Sequence, residues 1–207
     1  MMQNKARGRS KSEEKRSQIV DAAGDLFMEQ GYESVSMEGI AKLAGVSKQT
    51  LYSHFGSKEQ LFSAAIQCKC EEYPLADTLD NESRSCRESL EHYCGHLIEL
   101  LLSPEAIQVY KVCVAEADRS DVGQLFWEAG PARVREQLCD FFARNTAAGN
   151  LNIDDIDMAC SQLISMLHGQ VQTRILLSMT DCSELDKREL HRYSQRCVDM
   201  FMAFYGS

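Results

Sequence analysis

With 207 residues, 44% of them hydrophobic and three prolines, the chain is long enough for one large helix-rich domain, or a small one joined to a larger one. No run of about 18 apolar residues occurs, which excludes a transmembrane helix; the polar, basic N-terminus lacks the apolar stretch of a secretory signal, so a cytoplasmic protein with nine reduced cysteines is expected. The net charge of −9 is unevenly spread: residues 1–63 hold nine basic and eight acidic side chains, and residues 64–207 hold thirteen and twenty-three, a basic-tipped end on an acidic body.

Residues 1–11 carry Lys5, Arg7, Arg9 and Lys11 and no acid, with Gly8 and Ser10 between them. Such a stretch can bury nothing and is expected to be a disordered basic arm, with Lys5, Arg7 and Arg9 free to meet phosphates or a minor groove. Ser12 is expected to cap the first helix, with Glu13 and Glu14 in its favourable first turn. The helix buries Ile19, Ala22, Ala23, Leu26 and Phe27 and closes at Gly31. Ser36 is placed to cap a short second helix starting at Met37.

Met37 to Phe55 reads as a helix-turn-helix. Ile40, Ala41 and Ala44 share one helical face, and Gly45 sits where a left-handed residue is needed. Ser47 can cap the next helix, whose Leu51 and Phe55 point back to the core. Lys48, Gln49, Thr50, Tyr52, Ser53 and His54 remain outside, hydrogen-bonding side chains of the kind that meet phosphates and base edges in a major groove. Ser57, Lys58, Glu59 and Gln60 then form a capping box opening a fourth helix, which Pro74 should end. Asp77 to Asn81 reads as a loop.

The remainder is a series of helical patterns: Ser85 to Leu102, Pro104 to Ala117, Val122 to Asn145 with a kink or break at Gly130-Pro131, Asp154 to Met179, and Glu184 to Tyr205. Gly149-Asn150 is a turn. No repeat and no strand pattern occurs. The expected fold is all-α with about nine helices.

Residues 18–66 resemble the DNA-binding domain of the TetR family of bacterial repressors. The resemblance rests on Ile19, Ala22, Ala23, Leu26, Phe27, Gly31, Tyr32, Ser36, Ile40, Ala41, Ala44, Gly45, Val46, Ser47, Thr50, Leu51, Tyr52, Phe55, Lys58 and Leu61. Residues 109–177 resemble the AefR-like C-terminal domain of that family, through Ala115-Glu116-Ala117, the run from Phe126 to Arg133, and Gly149-Asn150-Leu151. The organisation implied is an arm (1–11), a helix-turn-helix domain (12–57) and a helical ligand-binding and dimerisation domain (58–207). The function implied is a transcriptional regulator, a repressor that leaves a palindromic double-stranded operator when a small-molecule effector binds. Ser36, Met37 and Ser47 join the DNA-facing set. Lys48, Thr50, Tyr52, His54 and Lys58 are assigned to phosphates and Gln49, at a position often glycine in the family, to a base. The family also implies a homodimer in which the last two long helices pair with their mates, bringing Met166, Val171, Met200, Phe201 and Phe204 to the interface.

The chemistry of the body admits several readings. Cys68-Lys69-Cys70 would point two thiols away from each other on a helix, a poor chelate, and no phosphate loop, G-x-S-x-G or H-E-x-x-H occurs, so neither a metal, a cofactor nor catalysis is expected. Histidines on apolar faces, such as His96 and His168, are ordinarily satisfied core residues. The alternative is an apolar effector pocket in which Tyr93, His96, Leu97, Cys113, Glu116, Trp127 and Gln172 place a few polar groups. A regulator responding through thiols is the second functional reading, and an all-α module that ignores DNA is the third.

Overall fold

The computed structural model describes residues 11–73, 75–81 and 83–207. Residues 1–10 of the expected arm, with Lys5, Arg7 and Arg9, therefore lie outside the described residues, as does Pro74, while Lys11, the arm's expected last residue, is the first of a helix. Helix α1 spans Lys11–Gln30. It starts one residue before Ser12, which sits inside the first turn and does not cap it. Gly31, at φ +82°, ends α1 by donating its amide to the Phe27 carbonyl.

Serine hydroxyls start the next three helices. Ser36 caps α2 (Met37–Leu43), Ser47 caps α3 (Lys48–His54) and Ser57 caps α4 (Lys58–Glu71). Each hydroxyl accepts from the amide three residues on and is worth about 1 kcal/mol. The loop expected at Asp77 to Asn81 overlaps a short helix, α5 (Leu75–Leu79), which forms because Leu75, Thr78 and Leu79 are buried on one side of it.

Ser85 and Glu88 form a full capping box at α6 (Cys86–Leu101). Ser103 with Pro104 at the first position starts α7 (Pro104–Glu116). The chain breaks, rather than kinks, at Gly130: α8 (Val122–Ala129) ends there and α9 (Pro131–Ala147) begins. Asp155 caps α10 (Ile156–Leu176) and Asp186 caps α11 (Lys187–Tyr205), after a 3-10 turn at Cys182–Glu184. The described residues thus hold eleven α-helices, more than the periodicity suggests because α5 is added and α8 and α9 are separate. Their only extended pairing is one antiparallel bridge, Leu151 to Gly206, which ties the end of the chain to the α9–α10 loop.

Two main cores result. The N-terminal core joins α1–α4 around a buried aromatic trio, Phe27, Tyr32 and Phe62, with ring centres 5.0–5.6 Å apart. It also takes Cys113 of α7 and Val122 and Ala129 of α8. Leu61, Phe62 and Ile66 place much of α4 in this core, whereas the sequence reading divides the chain before α4. The larger core joins α5, α6, α9, α10 and α11 around Tyr93, Leu97, Phe142, Leu163 and Phe201. Among the described residues no helix is long and apolar enough to cross a membrane.

Candidate functional site

The turn between α2 and α3 follows from its residues. Gly45 has φ +65°, and a Cβ there would meet nothing within 4 Å, so glycine is required by conformation and not by space. Val46 donates its amide to the Ala41 carbonyl across the turn at 3.0 Å. Ile40, Leu51 and Phe55 are buried behind the helix pair. The opposite face of α3 presents Lys48, Gln49, Tyr52 and Ser53 to solvent.

The side chains on this face are already organised. The Ser47 hydroxyl accepts the Thr50 amide at 3.0 Å and lies 2.8 Å from Thr50 Oγ1, so both hydroxyls are held at the N-terminus of α3. Lys48 forms an ion pair with Glu38 of α2, which raises the lysine pKa and lowers that of the carboxyl. The ammonium also lies 5.8 Å from the Tyr52 ring centre. The pairing spans the turn, ten residues apart in sequence, and no helical period would have revealed Glu38 as a partner.

Two residues assigned to DNA have inward roles. Met37 is buried in the N-terminal core, so only its backbone remains to face a ligand. Lys58 donates from Nζ to the carbonyls of Val35 at 3.0 Å and Glu33 at 3.3 Å, and sits 4.4 Å over the Tyr32 ring. It ties the α1–α2 loop to α4. Burial, followed by the Glu59 carboxylate, pushes the Tyr32 phenol far above its ordinary pKa, so the ring under Lys58 stays neutral.

The expected effector residues are not brought together. Tyr93 and Leu97 are buried in the larger core, where Tyr93 Oη donates to the Val134 carbonyl at 3.1 Å. Cys113 belongs to the N-terminal core, where burial pushes its thiol pKa up to about 12. Trp127 is 54% exposed on α8. Glu116 accepts the Glu33 amide at 3.0 Å and would collide with any Cβ at Gly31. It docks α7 on the N-terminal unit, next to a second contact in which Gln108 Nε2 donates to the Met28 carbonyl at 3.2 Å. His96 and Gln172 are half-buried, and neither is among the residues lining the cavity between α6, α10 and α11.

One cavity lies between α6, α10 and α11, with a volume of about 580 Å³. Ile98, Leu102, Leu167, Val171, Leu185 and Leu190 give it apolar walls, and His168, Tyr193, Arg192, Arg196 and the carboxylates of Glu184, Asp186 and Glu189 make the rest of the lining polar. It opens at a break in α10, where Gly169 adopts φ +55° and ψ −172°. Tyr193 Oη donates to the Met166 carbonyl at 2.7 Å, satisfying an acceptor beside the break. Burial lowers the His168 pKa and favours the neutral ring.

The expected dimer residues divide as well. Met200 and Phe204 are 66% and 78% exposed on α11, Met166 and Val171 are half-buried, and Phe201 is only 2% exposed. Phe201 stacks on Phe142 with centres 4.8 Å apart and planes 18° apart, so within one chain it is a core residue. Phe201 and Phe204 lie three residues apart on one amphipathic helix, and periodicity leaves open which of them turns inward.

Residues 88–207 match the family described as AefR-like transcriptional repressor, C-terminal domain, and residues 19–65 match bacterial regulatory proteins, tetR family. The chain is similar to the HTH-type transcriptional activator FasR of Mycolicibacterium smegmatis, 42% identical over 64 residues, 31% of this chain and 29% of that protein. It is also similar to IcaR of Staphylococcus aureus, a negative transcriptional regulator of the biofilm operon icaADBC, 33% identical over 70 residues, 34% of this chain and 37% of that protein. The matched stretch therefore spans well under half the length of these curated relatives. A TetR-family regulator from Mesorhizobium loti aligns over 96% of this chain and 100% of its own with TM-score 0.79 and 29% identity. The flavonoid-responsive regulator FrrA aligns over 94% and 98% with TM-score 0.74 and 29% identity.

Proposed function

Because the chain belongs to the TetR family of bacterial regulatory proteins and carries an AefR-like C-terminal domain, we propose that it is an operator-binding repressor, working as a homodimer and released by a small apolar effector. The observation that carries this reading is the outer face of α3, where Lys48, Gln49 and Tyr52 stand free of the core on a helix fixed from behind by Leu51 and Phe55. Lys48, Thr50, Tyr52 and His54 are the phosphate-facing set, while the Gln49 amide, able to pair bidentately with adenine, reads a base. Ser36 and Ser47 cap α2 and α3 and so present both helix N-termini. The arm residues Lys5, Arg7 and Arg9 add contacts to phosphate or minor groove. Repression rather than activation follows the description of the C-terminal family; FasR is named as an activator and IcaR as a negative regulator, so the N-terminal likeness does not choose.

The effector occupies the cavity between α6, α10 and α11. Its lining pairs six apolar side chains with His168, Tyr193, two arginines and three carboxylates, a surface that can cover an apolar body and hydrogen-bond its polar groups. FrrA is named for its response to flavonoids, which favours a planar aromatic ligand here too. The signal reaches DNA by two routes, along α4 and through the α7 contacts at Met28 and Glu33. Either changes the separation of the two recognition helices, which must match half-sites about 34–36 Å apart or a multiple of that.

Selection of bound sequences from a random duplex pool tests the DNA reading. The expected product is a palindrome; a pool with no enriched sequence overturns the proposal. Within the enriched site, Lys48→Ala should weaken all sequences alike and flatten the salt dependence by a slope of about 0.9.

A further inference from the structure

The nine cysteines are all free thiols, and among the described residues one pair has its sulfurs in contact: Cys139 of α9 and Cys160 of α10, at 2.7 Å. That separation is well inside the sum of two sulfur radii and about 0.7 Å beyond a disulfide bond. The two thiols differ in their surroundings. Cys160 is fully buried, and burial followed by its contact with Cys139 raises its pKa. Cys139 is half-buried, with Arg135 Nη1 at 3.8 Å and Asp157 Oδ1 at 3.9 Å. Arg135 is in turn paired with Asp157 at 2.9 Å, which fixes the guanidinium beside the sulfur. Among the described residues no group of three or more metal-ligating side chains could hold an ion, so the thiols are not completed as a metal site.

We infer that Cys139 and Cys160 are a reversible redox pair, oxidised by hydroperoxides to a disulfide that joins α9 to α10. Cys139, the less buried of the two, attacks the peroxide oxygen as its thiolate; the O–O bond breaks, giving a sulfenic acid and an alcohol, or water from hydrogen peroxide. The Cys160 sulfur then attacks the Cys139 sulfur. The S–S bond forms, the S–O bond breaks, and water leaves with the Cys160 proton. Two thiols and one hydroperoxide yield one disulfide, one alcohol and one water, and a dithiol reverses the change by exchange. The bond would fix α9, whose preceding Gly130 packs against Ile66 of α4. The inference goes beyond the effector-released repressor and does not depend on operator binding.

The test uses the full chain and hydrogen peroxide. After treatment, alkylation in denaturant should find two of the nine thiols lost, and dithiothreitol should restore them. A non-reducing peptide map should join the peptides of Cys139 and Cys160. Cys139→Ser and Cys160→Ser should each abolish that link, and Cys197→Ser should retain it. Cys139→Ala provides a second variant, with helix content by circular dichroism showing that it folds. Survival of all nine thiols overturns the inference, as do links between other cysteines, or oxygen accumulating on Cys139 while Cys160 stays free.

Discussion

Gln49 and Lys48 are neighbours on α3 with separable work. Gln49→Ala should relax preference at one operator position while leaving affinity for unrelated duplex unchanged, because a bidentate amide–adenine pair discriminates by about 1–3 kcal/mol and contributes little elsewhere. An unaltered preference in the random-pool selection would remove Gln49 from base reading. Lys58 shows where type and position were legible in the sequence and direction was not. A lysine opening a helix beside a recognition unit reads as a phosphate ligand, yet its ammonium is engaged by the Glu33 and Val35 carbonyls and the Tyr32 ring. Lys58→Ala should therefore lower folding stability by about 1–2 kcal/mol. At roughly 2–4 °C per kcal/mol for a chain of this size, thermal unfolding would read the loss. Its effect on the salt slope of operator binding should be well under the 0.9 or so of a lysine on phosphate.

Helices α7 and α10 each carry a feature set by partners distant in sequence. A glycine within a long apolar helix announces a weak point, but only the packing of α11 shows that α10 breaks at Gly169 and that Tyr193 holds the break open. A Cβ at Gly169 would lie 2.8 Å from Tyr193 Oη, and its φ and ψ belong to a region essentially reserved for glycine. Gly169→Ala should thus destabilise by about 1–3 kcal/mol. A rise in melting temperature would mean that α10 prefers to run straight and that the cavity is not native. On α7, Glu116 joins the body to the loop after α1 through the Glu33 amide. Glu116→Ala should speed hydrogen exchange at Glu33, and Glu116→Gln, which keeps an acceptor oxygen, should not; equal exchange in all three proteins would exclude this link from the signal path. The fold class, the caps at Ser36, Ser47 and Ser57, and the interruption at Gly130 were legible because each depends on residues within one turn. The cavity proposed for an effector was not. Tyr93, Leu97 and Cys113 look like pocket residues in a linear pattern, and they are core because helices far away in sequence cover them.

At the scale of the whole molecule, the unpartnered apolar surface of α11 is the feature a single chain does not explain. Met200 and Phe204 stand mostly in solvent on a helix whose other side is packed against α6, with the Arg87–Asp199 ion pair at 2.7 Å beside it. Covering a large side chain of this kind contributes about 1.5–3 kcal/mol, so a monomer exposing two of them at one site leaves considerable stabilisation unrealised. A second copy related by a two-fold axis would present the same pair to the same pair, doubling the area covered. Phe204→Glu should then convert the dimer to a folded monomer, because an unpaired carboxylate opposing its symmetry mate cannot be buried. Phe201→Glu should behave differently. Its ring stacks on Phe142 inside one chain, and a carboxylate there should disrupt the larger core before any question of association arises. Light scattering with circular dichroism separates the cases: loss of mass with full helix content for Phe204→Glu, and loss of helix content for Phe201→Glu. A folded Phe204→Glu dimer would place the interface elsewhere. If the monomer forms, its operator affinity tests the assembly in turn, since one recognition helix engages one half-site. Phosphate contacts halve in that case, and the slope of log affinity against log salt should fall to about half its dimer value.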